Sequence, residues 1–129
     1  MAQDNVDVIQ TAWDAFGRGD IDKATSVADP SAEFFAPQSL PWGGTYHGPE
    51  GFKELLGKIV GNFDKFDAKP EKVLGADDDH VVVVVRFTAR TKGGEDIDGQ
   101  AVWLYKMRNG QVVRGDAFID TARILEALG

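Results

Sequence analysis

The stretch from His80 to Ile119 constrains the fold more than any other part of the chain. It holds three strand-forming runs, His80–Thr91, Asp96–Met107 and Gln111–Ile119, with valine dominating the first. Gly93-Gly94 separates the first two, and Asn109-Gly110 separates the last two. Asn-Gly is the strongest short hairpin signal, because both central residues of the favoured turn need positive φ. Within each run the side chains alternate. Val81, Val83, Val85, Phe87 and Ala89 form one set, while His80, Arg86, Thr88 and Arg90 join valines in the other. Ala101, Trp103, Tyr105 and Met107 oppose Asp98, Gln100 and Lys106; Val113, Ala117 and Ile119 oppose Arg114 and Asp116. A further strand, Lys65–Leu74, precedes the Asp77-Asp78-Asp79 turn, and its Pro70 marks an edge or a bulge. These runs predict an antiparallel meander with one apolar face that other elements must cover.

The first half of the chain supplies the cover. Val6, Ile9, Trp13 and Phe16 recur at helical spacing and predict a helix over Asp4–Phe16, capped by Asp4 or Asn5. A second, over Asp20–Ala28, is capped by Asp20 and ended by Pro30. A third opens at Gly48-Pro49, with Phe52, Leu55, Leu56, Ile59, Val60 and Phe63 as a wide apolar stripe. A short strand, Ala32–Ala36, lies between the second and third, and Thr121–Leu128 forms a terminal helix capped by Asp120. The expectation is one α+β domain over residues 1–129, with three helices on the apolar face of the sheet. On the other face Val82, Val84, Val102 and Leu104 interrupt polar residues, which predicts a homodimer.

Composition narrows the function classes. The chain has no cysteine, which excludes disulfides, thiolate metal centres and cysteine nucleophiles. A formal net charge of −7 repels a phosphate backbone, so no nucleic-acid partner is expected. The acidic N-terminus does not read as an export signal, and the longest apolar run, Val81–Val85, is too short to span a bilayer. A cytoplasmic protein without membrane association is the expectation. His47 and His80 show no ligand spacing, the aspartate turn lacks the calcium-loop pattern, and Gly17-Arg18-Gly19 lacks the third glycine of a dinucleotide fingerprint. No metal and no cofactor are expected.

Three segments carry a resemblance: Gly19-Asp20-Ile21-Asp22, Trp42-Gly43-Gly44-Thr45-Tyr46-His47-Gly48, and the final hairpin from Asn109-Gly110 to Phe118-Ile119-Asp120. With this layout the chain resembles the nuclear transport factor 2-like superfamily, and within it the SnoaL-like group of polyketide cyclases and ketosteroid isomerase relatives. The resemblance implies a cone-shaped half-barrel, a curved antiparallel sheet with three helices over its concave face and a ligand cavity between them. It leaves the chemistry open, because the fold hosts many functions. The carboxylate base of the ketosteroid isomerases would fall before a proline, where this chain has Ala36-Pro37; their donor positions fall at Ala12 or Trp13 and at Val102 or Trp103. An epoxide hydrolase-like Arg-x-Asp meets only Arg86-Phe87-Thr88.

Two residues stand as candidate catalytic groups. SnoaL-like cyclases use a single aspartate, and the match is Asp116. Strict alternation turns Asp116 away from the helices; a bulge at Gly115 would turn it inward. His47, in a glycine-rich, aromatic loop from Pro37 to Gly48, is the other, since imidazole titrates near neutral pH. Glu33, sharing a strand face with Phe35, is secondary. Trp13, Phe16, Trp42, Tyr46, Phe52, Trp103, Tyr105 and Phe118 are the candidate substrate-binding residues. The expected function is cofactor-independent acid–base catalysis (cyclase, isomerase or hydrolase) on a small apolar or polycyclic substrate. The alternative is a non-catalytic protein of the same fold that binds a small apolar molecule or serves as a dimeric scaffold.

Overall fold

A computed structural model describes residues 2–129. In chain order the elements are α1 (Ala2–Gly17), α2 (Ile21–Thr25), β1 (Ala28–Ala36), β2 (Gly44–His47), α3 (Gly48–Gly61), β3 (Phe63–Asp77), β4 (His80–Thr91), β5 (Asp96–Arg108), β6 (Gln111–Ile119) and α4 (Thr121–Leu128). The strands form one sheet in the order β2-β1-β6-β5-β4-β3. The sheet is curved and unclosed, and the helices cover its concave side.

The meander forms as its alternation predicts. Val81, Val83, Val85, Phe87 and Ala89 are all buried, as are Trp103, Tyr105 and Met107 across the ladder. At the β5–β6 turn Asn109 and Gly110 take φ of 52° and 76°, the two positive values that a tight right-twisted hairpin requires. β3 is the outer strand, and its register shifts between Pro70 and Lys72, where proline has no N–H to give to the ladder.

The sheet departs from expectation at one pair. β1 runs parallel to β6, while the other neighbouring strands are antiparallel. β1 is also longer than the predicted Ala32–Ala36. The second helix stops at Thr25, short of Ala28, because the backbone after it is claimed by the sheet: Val112 N–H donates to Val27 O at 2.8 Å. Pro30 therefore sits inside a strand, at a register irregularity between Ala28 and Glu33, and does not end the helix. β2 lies within the predicted loop, where Thr45 and Tyr46 pair with Phe35 and Phe34. Asn5 lies inside α1, and its Nδ2 donates to Asp78 O at 2.9 Å, pinning the helix to the β3–β4 turn.

The core lies between helices and sheet. Ile9 and Ala15 of α1 and Leu55 of α3 are essentially inaccessible. Phe34 is wholly buried and stacks on Phe52 with ring centroids 4.1 Å apart. Burying a side chain of that size contributes about 1.5–3 kcal/mol. Its place exists because Gly115 faces it: a Cβ there would lie 2.7 Å from Phe34 Cδ1.

Candidate functional site

Between the helices and the concave face is a cavity of about 90 Å³. Ile9, Ala12, Trp13 and Phe16 project into it from one stripe of α1, and Phe52, Leu56 and Ile59 from α3. The sheet contributes inward positions two residues apart, among them Trp103 and Tyr105 of β5 and Ala117 and Ile119 of β6. The segment between β1 and β2 adds Pro37, Leu40 and Trp42, and α4 adds Ile124. Asp120 aims that last helix: its Oδ1 accepts from Arg123 N–H at 3.1 Å, capping the N-terminus as expected. Among the described residues no Asp, Glu, His, Lys or Arg lines the cavity.

The aromatic wall is ordered. Trp103 and Tyr105 stack with centroids 5.6 Å apart and planes 6° apart, Phe52 meets Trp103 at 6.3 Å, and Phe16 meets the Trp13 ring edge-on at 5.8 Å. Among the described residues Tyr105 is the one ionisable side chain in the wall. Burial pushes its phenol well above the usual tyrosine range; the Trp13 indole N–H directed at its oxygen offsets this only in part. The hydroxyl is therefore protonated at every physiological pH.

Six of the expected binding residues meet here: Trp13, Phe16, Trp42, Phe52, Trp103 and Tyr105. Tyr46 and Phe118 do not line the cavity. Tyr46 is buried, but its hydroxyl donates to Trp42 O at 2.8 Å, so it braces the loop that carries Trp42. Phe118 is 55 % exposed and pairs with Val102 on the convex face, because alternation gives the inward positions to Ala117 and Ile119.

The structure does not bring His47 or Asp116 to the cavity. His47 ends β2 and stands before α3, exposed, with Nδ1 3.9 Å from Glu33 Oε2. The expected loop does reach the cavity through Pro37, Leu40 and Trp42, but its last part, Gly44–His47, is a strand paired to β1 that carries His47 away from it. Asp116 lies opposite Leu104 on the convex face, where its carboxylate accepts from Arg114 Nε at 2.9 Å and Nη2 at 3.3 Å. The Arg114 guanidinium also lies 4.3 Å over the Phe35 ring. The bulge proposed at Gly115 is absent. The register of β6 shifts between Val112 and Arg114, so Val112 is buried in place of the expected Val113. Glu33 pairs with Arg114 and His47 across the same convex face. Among the described residues no group of three or more His, Asp or Glu side chains comes close enough to hold a metal ion.

Sequence reasoning missed Leu40, Phe66 and Ile124 in the wall. The signal for Ile124 was present: Asp120 caps the helix and fixes its rotation, and Ile124 stands one turn further on.

A curved sheet with helices over one face and an apolar hollow between them defines an α+β cone of the nuclear transport factor 2-like kind. Residues 9–115 match the family model of the SnoaL-like domain, and the chain belongs to that family. An uncharacterised protein of Mycobacterium tuberculosis is 26% identical over 115 residues, covering 88% of this chain and 87% of that one. Among solved structures, Bal32a from a soil-derived mobile gene cassette superposes with a TM-score of 0.88 at 27% identity, covering 99% of this chain and 98% of that one. TerC co-crystallised with polyporic acid gives a TM-score of 0.88 at 24% identity, covering 97% and 98%. A putative SnoaL-like polyketide cyclase from Jannaschia gives 0.80 at 22%, covering 98% and 92%. No helix of the described residues is long and apolar enough to cross a membrane.

Proposed function

We propose that this chain binds a small, uncharged, apolar molecule in its cavity and holds it there without acid–base chemistry from the cavity wall. The observation that carries the reading is the wall itself, apolar throughout except for aromatic N–H and O–H groups, with no side chain that changes charge near neutral pH. An apolar hollow disfavours water and takes apolar guests, and about 150 Å³ accommodates a benzene ring. The 90 Å³ found here is smaller than that, so a single ring already needs slight movement of the walls and a fused polycycle needs far more. The co-crystallisation of TerC, which shares the fold, with polyporic acid supports a small-molecule-binding use of the fold.

A second reading, cyclase- or isomerase-type turnover, is favoured by the likeness to the Jannaschia putative polyketide cyclase. It needs His47 or Asp116 to act on a substrate, and both lie outside the wall. Titrating the protein with benzene and following methyl and indole signals by NMR tests the two readings together. The expected result is saturable binding that perturbs Trp13 and Trp103, unchanged in His47→Gln and Asp116→Asn, and flat from about pH 5 to pH 9, since no wall group titrates there. Loss of binding in either variant, or an inflection near the histidine range, would favour the acid–base reading.

A further inference from the structure

Tyr105 is 3% exposed and lines the cavity, yet among the described residues no group accepts a hydrogen bond from its hydroxyl. The contrast is Tyr46, also buried, whose hydroxyl is satisfied by Trp42 O at 2.8 Å. Among the described residues no side-chain nitrogen or oxygen that is sealed from space lacks a partner. The Tyr105 oxygen therefore opens onto the cavity. Its ring cannot swing away to find water, because it is held flat against Trp103 and packs beside Gly115. The Trp13 indole N–H is directed toward the same oxygen but is a donor only, so it offers the phenol proton no acceptor. A buried donor without an acceptor costs free energy that a ligand acceptor would recover.

We infer that the Tyr105 hydroxyl is the specificity-determining donor of the cavity, reading one neutral acceptor oxygen, a ketone or ether, on an otherwise apolar single-ring ligand. This rests on the cavity-binding reading above and narrows it to a ligand class. Charge on the ligand is excluded by the same geometry. A carboxylate would enter a space with one neutral donor pair and no cation, and desolvation would outweigh what Tyr105 and Trp13 return. A hydrocarbon of the same shape would fit but leave the donor unpaired, and it loses by that margin.

Three probes separate the outcomes: cyclohexanone, methylenecyclohexane, which matches its shape without the acceptor, and cyclohexanecarboxylate. Each is titrated by NMR into the wild-type protein and into Tyr105→Phe, whose fold is checked by circular dichroism melting. Wild type is expected to prefer cyclohexanone over methylenecyclohexane, after correction for their water-to-alkane transfer, by roughly five- to tenfold, the yield of one net hydrogen bond. Tyr105→Phe should erase that preference while binding methylenecyclohexane at least as well, and cyclohexanecarboxylate should not compete. A preference that survives in Tyr105→Phe, or carboxylate binding as tight as the ketone, overturns the donor role and leaves the cavity reading standing. Wild type binding neither neutral probe overturns both.

Discussion

Gly115 decides more than any other single residue how β6 relates to the cavity. It faces Tyr105 across the ladder and Phe34 across the parallel pair, and a methyl group there would press into the Phe34 ring. Phe34 is wholly buried against Phe52, so it has nowhere to retreat. Gly115→Ala should therefore destabilise the fold by about 1–3 kcal/mol, the usual cost of overpacking, measured as a lower urea midpoint with an unchanged slope. The same residue shows why the candidate site was only half legible in the sequence. A glycine inside a strand signals either a bulge or a close approach, and one sequence does not separate the two. The bulge would have sent Asp116 inward; close approach keeps strict alternation and sends it outward to Arg114. The aromatic wall was legible because Trp103 and Tyr105 follow plain alternation and Trp13 and Phe16 plain helical spacing.

At the scale of elements, β4, β5, β6 and the caps of α2 and α4 follow directly from local pattern. What local pattern missed, β2 and the first half of β1, depends on partners far along the chain. Ala28 to Ala36 is strand because Val112 to Asp116 lies beside it, and no local propensity overrides Pro30 and Asp29 in its favour. α4 is the other element whose place depends on distant contacts. Ile124 is its one buried residue, 2% exposed, and it reaches the cavity wall. Ile124→Asp should release α4 and open the cavity while the sheet stays folded. The expected readout is faster amide exchange confined to residues 121–128, with a loss of about 2–5 kcal/mol or less in global stability, since the cut surface belongs to a terminal helix. If the whole sheet unfolds with it, α4 is part of the core and not a cover.

At the scale of the whole molecule, the convex face is unfinished. Leu74, Val82, Leu104 and Phe35 cross it in one row, Val84, Val102 and Phe118 in the next. Phe118 and Leu74 are each about half exposed, which is uncommon for side chains of their size. Ion pairs of both signs border the patch, Arg86 with Glu71 on one side and Arg114 with Asp116 on the other. A surface that presents both signs around an apolar centre can meet its own copy across a twofold axis. The outer strand β3 carries Lys65, Lys69, Pro70 and Lys72, which discourage edge-to-edge addition and leave face-to-face pairing. Sedimentation at micromolar concentration should give a dimer, and Phe118→Glu, with no buried neighbour to disturb, should give a folded monomer. A monomeric wild type would leave the patch without this role.

The parallel pairing of β1 with β6 also bears on how the chain is made. β1 leaves the ribosome early, but the strand it lies against is among the last to emerge. Until then the apolar stripe of α1 and the inward side of β1 have no floor, and nothing local tells residues 28–31 to be extended. The β3–β6 meander closes through short turns and is able to form first, serving as the template on which the earlier half is laid down afterwards. In that order, assembly would run against the direction of synthesis, with the chain ahead of β3 uncommitted until β6 arrives.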